Sequence, residues 1–192
     1  MLYFGMNNSA TVITGNIEKA QQLGRYLGMP TTHKEVDLIE IQSLDLAEII
    51  SHKAKEAYST VKTPVIVDDV SLSIQSMGKL PGPLIKFFIR ELGNEKVCKM
   101  VDCFGNRAAK AEVGMGYYDG KNLEIFTGEI EGYIADRPRG SNGFGWDAIF
   151  VPNGHTQTRA EMNEKNYDAT SPRKIAGDKL KKYLSSAVYF KK

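Results

Sequence analysis

The chain has little cysteine, no long apolar run and no excess of charge of either sign, and each shortage removes a class of function. Among its 192 residues only Cys98 and Cys103 are cysteines. They stand five apart with no second pair or neighbouring histidine to complete a metal-ligand set, and they suit a reducing compartment. No apolar stretch approaches the roughly 20 residues that span a bilayer. Met1–Ala10 also lacks the basic start and apolar core of a secretory signal. A cytoplasmic protein with no membrane partner is therefore expected. Lys and Arg total 25 against 23 for Asp and Glu. The one modest basic cluster, Lys179, Lys181, Lys182, Lys191 and Lys192, reads as a solvated terminal helix face and tail, so no nucleic-acid partner is expected. Repeats, low-complexity tracts, flexible linkers and any Ser-His or Cys-His nucleophile signature are missing as well.

What is present suffices for a packed core, since 42% of residues are hydrophobic and 25% charged. One domain over residues 11–192 is expected, with residues 1–10 as an N-terminal extension of no assigned role. Thr11–Thr14 reads as a short strand, ending at Gly15-Asn16. The next segment reads as a helix in which Ala20, Leu23 and Leu27 share a face until Gly28 stops it. A second strand is expected at Lys34–Leu38, then a helix from about Asp45 to Thr60.

Pro64 opens the run PVIVDD, whose β-branched residues predict a strand at Val65–Val67 covered on both faces, with Asp68 and Asp69 at its end. Pro81-Gly82-Pro83 marks a turn, with Pro83 at the first position of a helix that Gly93 stops and Asn94 available to cap the next. From Ala108 to Ala135 the pattern becomes antiparallel strands joined at Asp119-Gly120. A last strand at Ala148–Val151 and a helix from about Ser171 to Ser185 complete the chain.

Four groups of residues carry potential chemistry. Thr14-Gly15-Asn16 with Lys19 forms a strand-to-helix turn whose backbone N–H groups and lysine suit a phosphate. Asp68-Asp69, at a strand end, favours a divalent cation, and alternation predicts that only one of the two faces a cleft. Glu40 is a further possible metal ligand. Phe144-Gly145-Trp146-Asp147 offers aromatic faces on which a purine could stack, worth about 1–3 kcal/mol. Lys165 with Ser171-Pro172-Arg173 lies around the start of the last helix.

In this order the four groups resemble the inosine triphosphate pyrophosphatase family, through TGNIEK (14–19), EIQ (40–42), VDDVSL (67–72), LPGPLIKFF (80–88), FGWDAIFVPNG (144–154), TRAEM (158–162) and EKN (164–166). The resemblance implies an α/β fold with two lobes around a long central mixed β-sheet, flanking helices and an active-site cleft between the lobes. It also implies a purine nucleoside triphosphate substrate, Mg2+ dependence with Mn2+ as a substitute, and a homodimer. Carried over to this sequence, Thr14, Gly15, Asn16 and Lys19 would hold the triphosphate, with Lys53 and Lys86 as further contacts and Lys19 aiding catalysis. Glu40 and Asp69 would bind the metal, and Asp69 would act as the base. Phe144, Gly145, Trp146, Asp147, Lys165, Ser171 and Arg173 would line the sugar and base pocket.

Two positions depart from the family's pattern. Val70-Ser71 stands where a small polar residue usually comes after the acid, so a substrate contact near Val70 is lost or moved. The family's Ser-His-Arg becomes Ser171-Pro172-Arg173, preceded by two apparently inserted residues in KNYDAT. Proline fits the start of a helix but removes an imidazole donor, which leaves Arg173 to recognise a 6-oxo group. The expected activity is hydrolysis of purine nucleoside triphosphates such as ITP, dITP and XTP to monophosphate and pyrophosphate. The alternatives are altered base specificity, or nucleotide binding with little turnover.

Overall fold

The computed structural model describes residues 10–28 and 32–189. Residues 1–9, and Lys191 and Lys192 of the basic tail, lie outside them, whereas Ala10 packs into the core beside Val12. The strands are β1 (Thr11–Ile13), β2 (Thr32–Lys34), β3 (Val65–Ile74), β4 (Pro81–Gly82), β5 (Ala108–Tyr118), β6 (Leu123–Ile134) and β7 (Phe150–Pro152). The helices are α1 (Ile17–Leu27), α2 (Leu46–Val61), α3 (Ile85–Asp102), α4 (Glu164–Ala169) and α5 (Pro172–Tyr189).

Six of the strands form one mixed sheet in the order β2-β1-β3-β5-β6-β7, and β4 adds to β3. β1 is parallel to β2 and β3, while β3, β5, β6 and β7 run antiparallel. β1 accompanies β3 only through Val67, and β4 joins it only at Leu72 and Ser73. Between them, Asp68–Ser71 is paired on the β5 side and not by either of these short strands. The backbone at the two aspartates is thus held from one side and open toward the other.

Both faces of this sheet are covered. On one, Val12 and Ile66 meet Leu23 and Leu27 of α1 and Ala176 and Leu180 of α5. On the other, Val65 and Val67 meet Ile50, Ala54 and Ala57 of α2. Beyond the open stretch a third cluster joins Leu72 and Ile74 to Val97, Cys98 and Val101 of α3 and to Phe150. Double coverage explains the imperfect alternation along β6, where Leu123 and Ile125 pack toward α2 and Phe126 toward α5.

Several sequence expectations are corrected. β3 continues through Ile74, so the aspartates lie within a strand; β5 supplies partners as far as Ala109. The strand expected at Lys34–Leu38 is instead Thr32–Lys34, because β1 offers partners only from Thr11 to Ile13. α3 starts at Ile85, not at Pro83, since Pro81-Gly82 pairs with β3 before the chain turns. Gly93 does break α3, with φ 73° and ψ 162°, but Asn94 does not cap the helical segment beyond the break. Its amide Nδ2 instead donates to Gly145 O at 3.0 Å, tying the glycine-rich loop to α3. The last strand is Phe150–Pro152, paired with Gly132–Ile134. As expected, Asp119 organises the β5–β6 turn by accepting from the amides of Lys121 and Asn122. Among the described residues no helix is long and apolar enough to cross a membrane.

The approach of α5 to the sheet depends on Gly128. A Cβ there would lie 2.1 Å from Pro172 O and 2.8 Å from Ala176 N, both rigid backbone atoms. Gly128→Ala is expected to lower stability by about 1–3 kcal/mol through overpacking, read as a shift in the urea unfolding midpoint with an unchanged slope.

Candidate active site

A cleft of about 1000 Å³ lies over the open stretch of β3. It collects Thr14, Gly15, Asn16 and Lys19 from the β1–α1 turn, Glu40 and Lys53 from α2 and the segment before it, Asp68, Asp69 and Val70 from β3, and Lys86 from α3. Phe144, Gly145, Trp146 and Asp147 come from the glycine-rich loop, and Ser171, Pro172 and Arg173 from the start of α5. Every site residue proposed from sequence is there except Lys165. That lysine is exposed on α4, and Tyr167, two residues on and so on a different helix face, lines the cleft instead.

The β1–α1 turn is built by capping. Asn16 Oδ1 accepts from the amides of Glu18 and Lys19 at 2.9 and 3.1 Å, and Thr14 Oγ1 accepts from the Asn16 amide at 3.1 Å. The helix-end N–H groups expected to be free for phosphate are therefore largely engaged, because asparagine is among the best N-caps. Lys19 and the positive end of the helix still face the cleft.

Contrary to the sequence expectation, both aspartates line the cleft, on opposite sides of β3. Asp68 turns toward α1 and α5, where it is bonded to Arg173 Nη1 and lies 3.9 Å from Lys19 Nζ. Burial would raise its pKa, but Arg173 foremost, with Lys19 and Lys53, holds it far below the usual carboxylate range. Asp69 turns toward α2 and meets Lys53 Nζ at 3.0 Å. Lys53 also approaches Glu40 Oε1 at 3.5 Å, and Lys86 meets Glu40 Oε2 at 3.2 Å. Burial works against the charged form of Glu40, but Lys53 and Lys86 outweigh it and lower its pKa. For Lys53, likewise, Asp69, Asp68 and Glu40 overcome desolvation and raise its pKa.

Glu40 and Asp69 thus converge on one ammonium, the point where a hard cation would find two carboxylates. Among the described residues no group of three or more His, Cys, Asp or Glu is gathered as a metal site. Magnesium, however, commonly takes only one or two carboxylates and completes its shell with phosphate oxygens and water. The residues present fit that mode of binding.

At the other end of the cleft, Asp147 is a buried organiser. Its Oδ1 accepts from Arg159 Nε at 2.8 Å, and its Oδ2 from the Phe144 amide at 3.0 Å and from Tyr167 OH at 2.9 Å. Its close neighbour Gly143, at φ 72°, could carry no side chain, since a Cβ would lie 2.3 Å from Asp147 Oδ2. Trp146 stands edge-on to Phe150 at 5.5 Å, so its ring is fixed by the α3-side core. Ser171 caps α5 through the Lys174 amide, and Pro172 is the first helical residue, both as expected.

Arg159 and Tyr167 were not singled out from sequence as site residues. Arg159 sits within the quoted TRAEM motif yet is 2% exposed. It spans Asp147 and Thr170, and its guanidinium lies 3.9 Å from the centre of the Tyr167 ring. An arginine in a polar motif reads as solvated, and only the fold reveals that it holds two site segments together.

A family model described as the Ham1 family matches residues 10–183. The chain is 38% identical over 182 residues to an inosine triphosphate pyrophosphatase of Schizosaccharomyces pombe, covering 93% of this chain and 96% of that one. It is 41% identical over 157 residues to the protein of the same name from Candida albicans, covering 81% and 77%. Among solved structures, a HAM1 protein from Coxiella burnetii superposes with a TM-score of 0.82 at 25% identity, covering 93% of this chain and 99% of that one. The Staphylococcus aureus Ham1 protein has the same fold, with a TM-score of 0.80 at 22% identity and coverage of 93% and 100%.

The two buried ion pairs lead to separate expectations. Arg159→Ala leaves the buried Asp147 carboxylate without its ionic partner and should cost about 3–5 kcal/mol of unfolding free energy, measured by urea denaturation. Because the folded pKa of Asp68 is depressed, its stabilising contribution is fully present above the unfolded value of about 3.9 and is lost as pH falls below that toward the folded value. The acid limb of a stability-versus-pH curve should therefore be shallower in Asp68→Asn than in the parent protein.

Proposed function

The chain belongs to the Ham1 family, and from that membership we propose that it hydrolyses inosine triphosphate and related 6-oxo purine nucleoside triphosphates to the monophosphate and pyrophosphate, with a divalent metal. The observation that carries the reading is one cleft that holds the lysine-lined turn and the Asp69–Lys53–Glu40 cluster together with the Phe144–Trp146 loop. A triphosphate and a purine need these two environments at the two ends of one molecule.

Hydrolysis builds negative charge on the phosphate oxygens in the transition state, so fixed cations aimed at those oxygens lower the barrier. Lys19, Lys53 and Lys86 supply such charge, and the carboxylates that neutralise them also hold their ammonium groups in place. Asp69 orients the attacking water and takes its proton, with Lys53 at 3.0 Å holding the carboxylate in position. Magnesium held by Glu40 and Asp69 would supply Lewis-acid stabilisation of the phosphates. The base is placed against Phe144 and Trp146, and the Arg173 guanidinium, of which the Asp68 bond uses one nitrogen, retains donors for a 6-oxo group. Val70 offers only apolar contact in the same cleft. The active species is proposed to be a homodimer.

Asp69→Asn should lower kcat with ITP by about 100- to 10000-fold, the range for loss of a general base, while the affinity for IMP changes little. Coupled pyrophosphate detection decides the reaction: release of orthophosphate without pyrophosphate overturns it. Chelation of divalent metal should abolish turnover, with restoration by Mg2+ or Mn2+. Light scattering should give twice the 21.3 kDa of the single chain.

A further inference from the structure

Tyr167 lies on α4 within the KNYDAT segment that carries the two apparently inserted residues, and it lines the same cleft as Phe144, Pro172 and Arg173. Its ring lies on the Arg159 guanidinium at 3.9 Å, its hydroxyl meets Asp147 Oδ2 at 2.9 Å, and its carbonyl accepts from Arg159 Nη1 at 3.1 Å. The neighbouring Asp168 anchors the same short helix to α1 by accepting from Tyr26 OH at 2.6 Å. The phenolic oxygen and the Phe144 amide share one carboxylate oxygen, so the hydroxyl is held against the loop that carries the aromatic faces.

The direction of the phenolic proton is set by its partner. Asp147 is ion-paired to Arg159, and an ionised carboxylate accepts only. The proton therefore points to Asp147, and burial, reinforced by that negative charge, keeps the phenol protonated by raising its pKa. What the hydroxyl can still offer is a lone pair. Arg173 offers only donors, and Pro172 has neither a side-chain donor nor an acceptor.

We propose that Tyr167 is a specificity-determining residue that accepts a hydrogen bond from N1–H of a 6-oxo purine, a step that rests on the reading of this cleft as a purine nucleotide site. A 6-oxo purine presents an acceptor at O6 next to a donor at N1. A 6-amino purine presents the reverse, donors on the exocyclic nitrogen and a lone pair at N1. Arg173 paired with Tyr167 matches the first pattern, whereas a lone arginine reads O6 only. With adenine, the Tyr167 lone pair meets the N1 lone pair, and buried polar groups left unpaired on both sides disfavour binding. The lost imidazole at position 172 is thus offset in this chain by a residue from a different element.

The test is Tyr167→Phe, which removes the acceptor but keeps the ring on Arg159 and leaves Asp147 Oδ2 its bond to the Phe144 amide. Steady-state turnover of ITP and ATP is compared with calorimetric affinities for IMP and AMP, and unfolding midpoints check that the variant is folded. The expected result is a fall of about tenfold in kcat/KM for ITP, the scale of one hydrogen bond, carried by KM and matched by weaker IMP binding, with ATP turnover and AMP affinity equal to or above those of the parent because the clash with adenine N1 is removed. A parallel fall for both bases, as mere loosening of the Asp147 network would produce, overturns the proposal, and so does an unchanged inosine-to-adenosine ratio. Should the parent protein fail to hydrolyse ITP, the hydrolase reading falls, and the IMP-to-AMP affinity ratio still decides the role of Tyr167.

Discussion

The cleft exists because β3 is longer than its neighbours on one edge. β1 stops opposite Val67 and β4 begins at Leu72, so the stretch from Asp68 to Ser71 keeps its hydrogen bonds to β5 while its other edge is open to ligand. Three buried apolar residues, Val65–Val67, lead into the two aspartates, and the pairing with β5 continues through both, which fixes where the carboxylates start. Alternation then sends Asp68 toward α1 and α5, and Asp69 toward α2. The helices that cover the two faces of the sheet thereby supply different cations to the two acids.

That division shapes the electrostatics. Asp68 is buried and spent on Arg173 and Lys19, so it positions the α5 terminus and the lysine of the β1–α1 turn. Asp69 and Glu40 are more accessible and share Lys53, whose charge, with that of Lys86, outweighs burial and lowers the pKa of Glu40. A second buried pair, Arg159 with Asp147, performs the corresponding task at the aromatic end. Each buried ion pair would be a poor source of net stability compared with apolar packing. Both instead hold side chains on separate chain segments in one geometry, a preorganisation that recognition of a flexible triphosphate requires.

The glycine-rich loop shows how local freedom and long-range restraint combine. Gly143 permits the turn, yet the loop is fixed from outside it, by Asn94 of α3 on Gly145 and by Arg159 on Asp147, which in turn holds the Phe144 amide. α4 is secured in the same manner, through Tyr26 of α1 and Arg159. The glycine-rich loop and α4 are thus short segments whose positions are set by side-chain contacts from outside them.

By itself the sequence determined the elements and most of the site. Apolar periodicity placed α1 and α2, the β-branched run located the core of β3, Asp119-Gly120 marked the hairpin, and Ser171-Pro172 started α5, because each rests on interactions among residues close in the chain. The spaced motifs named the acids, lysines and aromatics that the cleft gathers, Lys165 excepted. Only the tertiary structure decided the length of β3, the shift of β2 to Thr32–Lys34 and the start of α3, since strand pairing ends where the partner ends. It alone decided that Asp68, Asp147 and Arg173 are committed to buried ion pairs, and that Tyr167 rather than Lys165 faces the cleft. Those outcomes depend on groups about 10 to about 100 residues apart meeting in a water-poor interior, where the partner, and not the residue type, fixes what a charge can do.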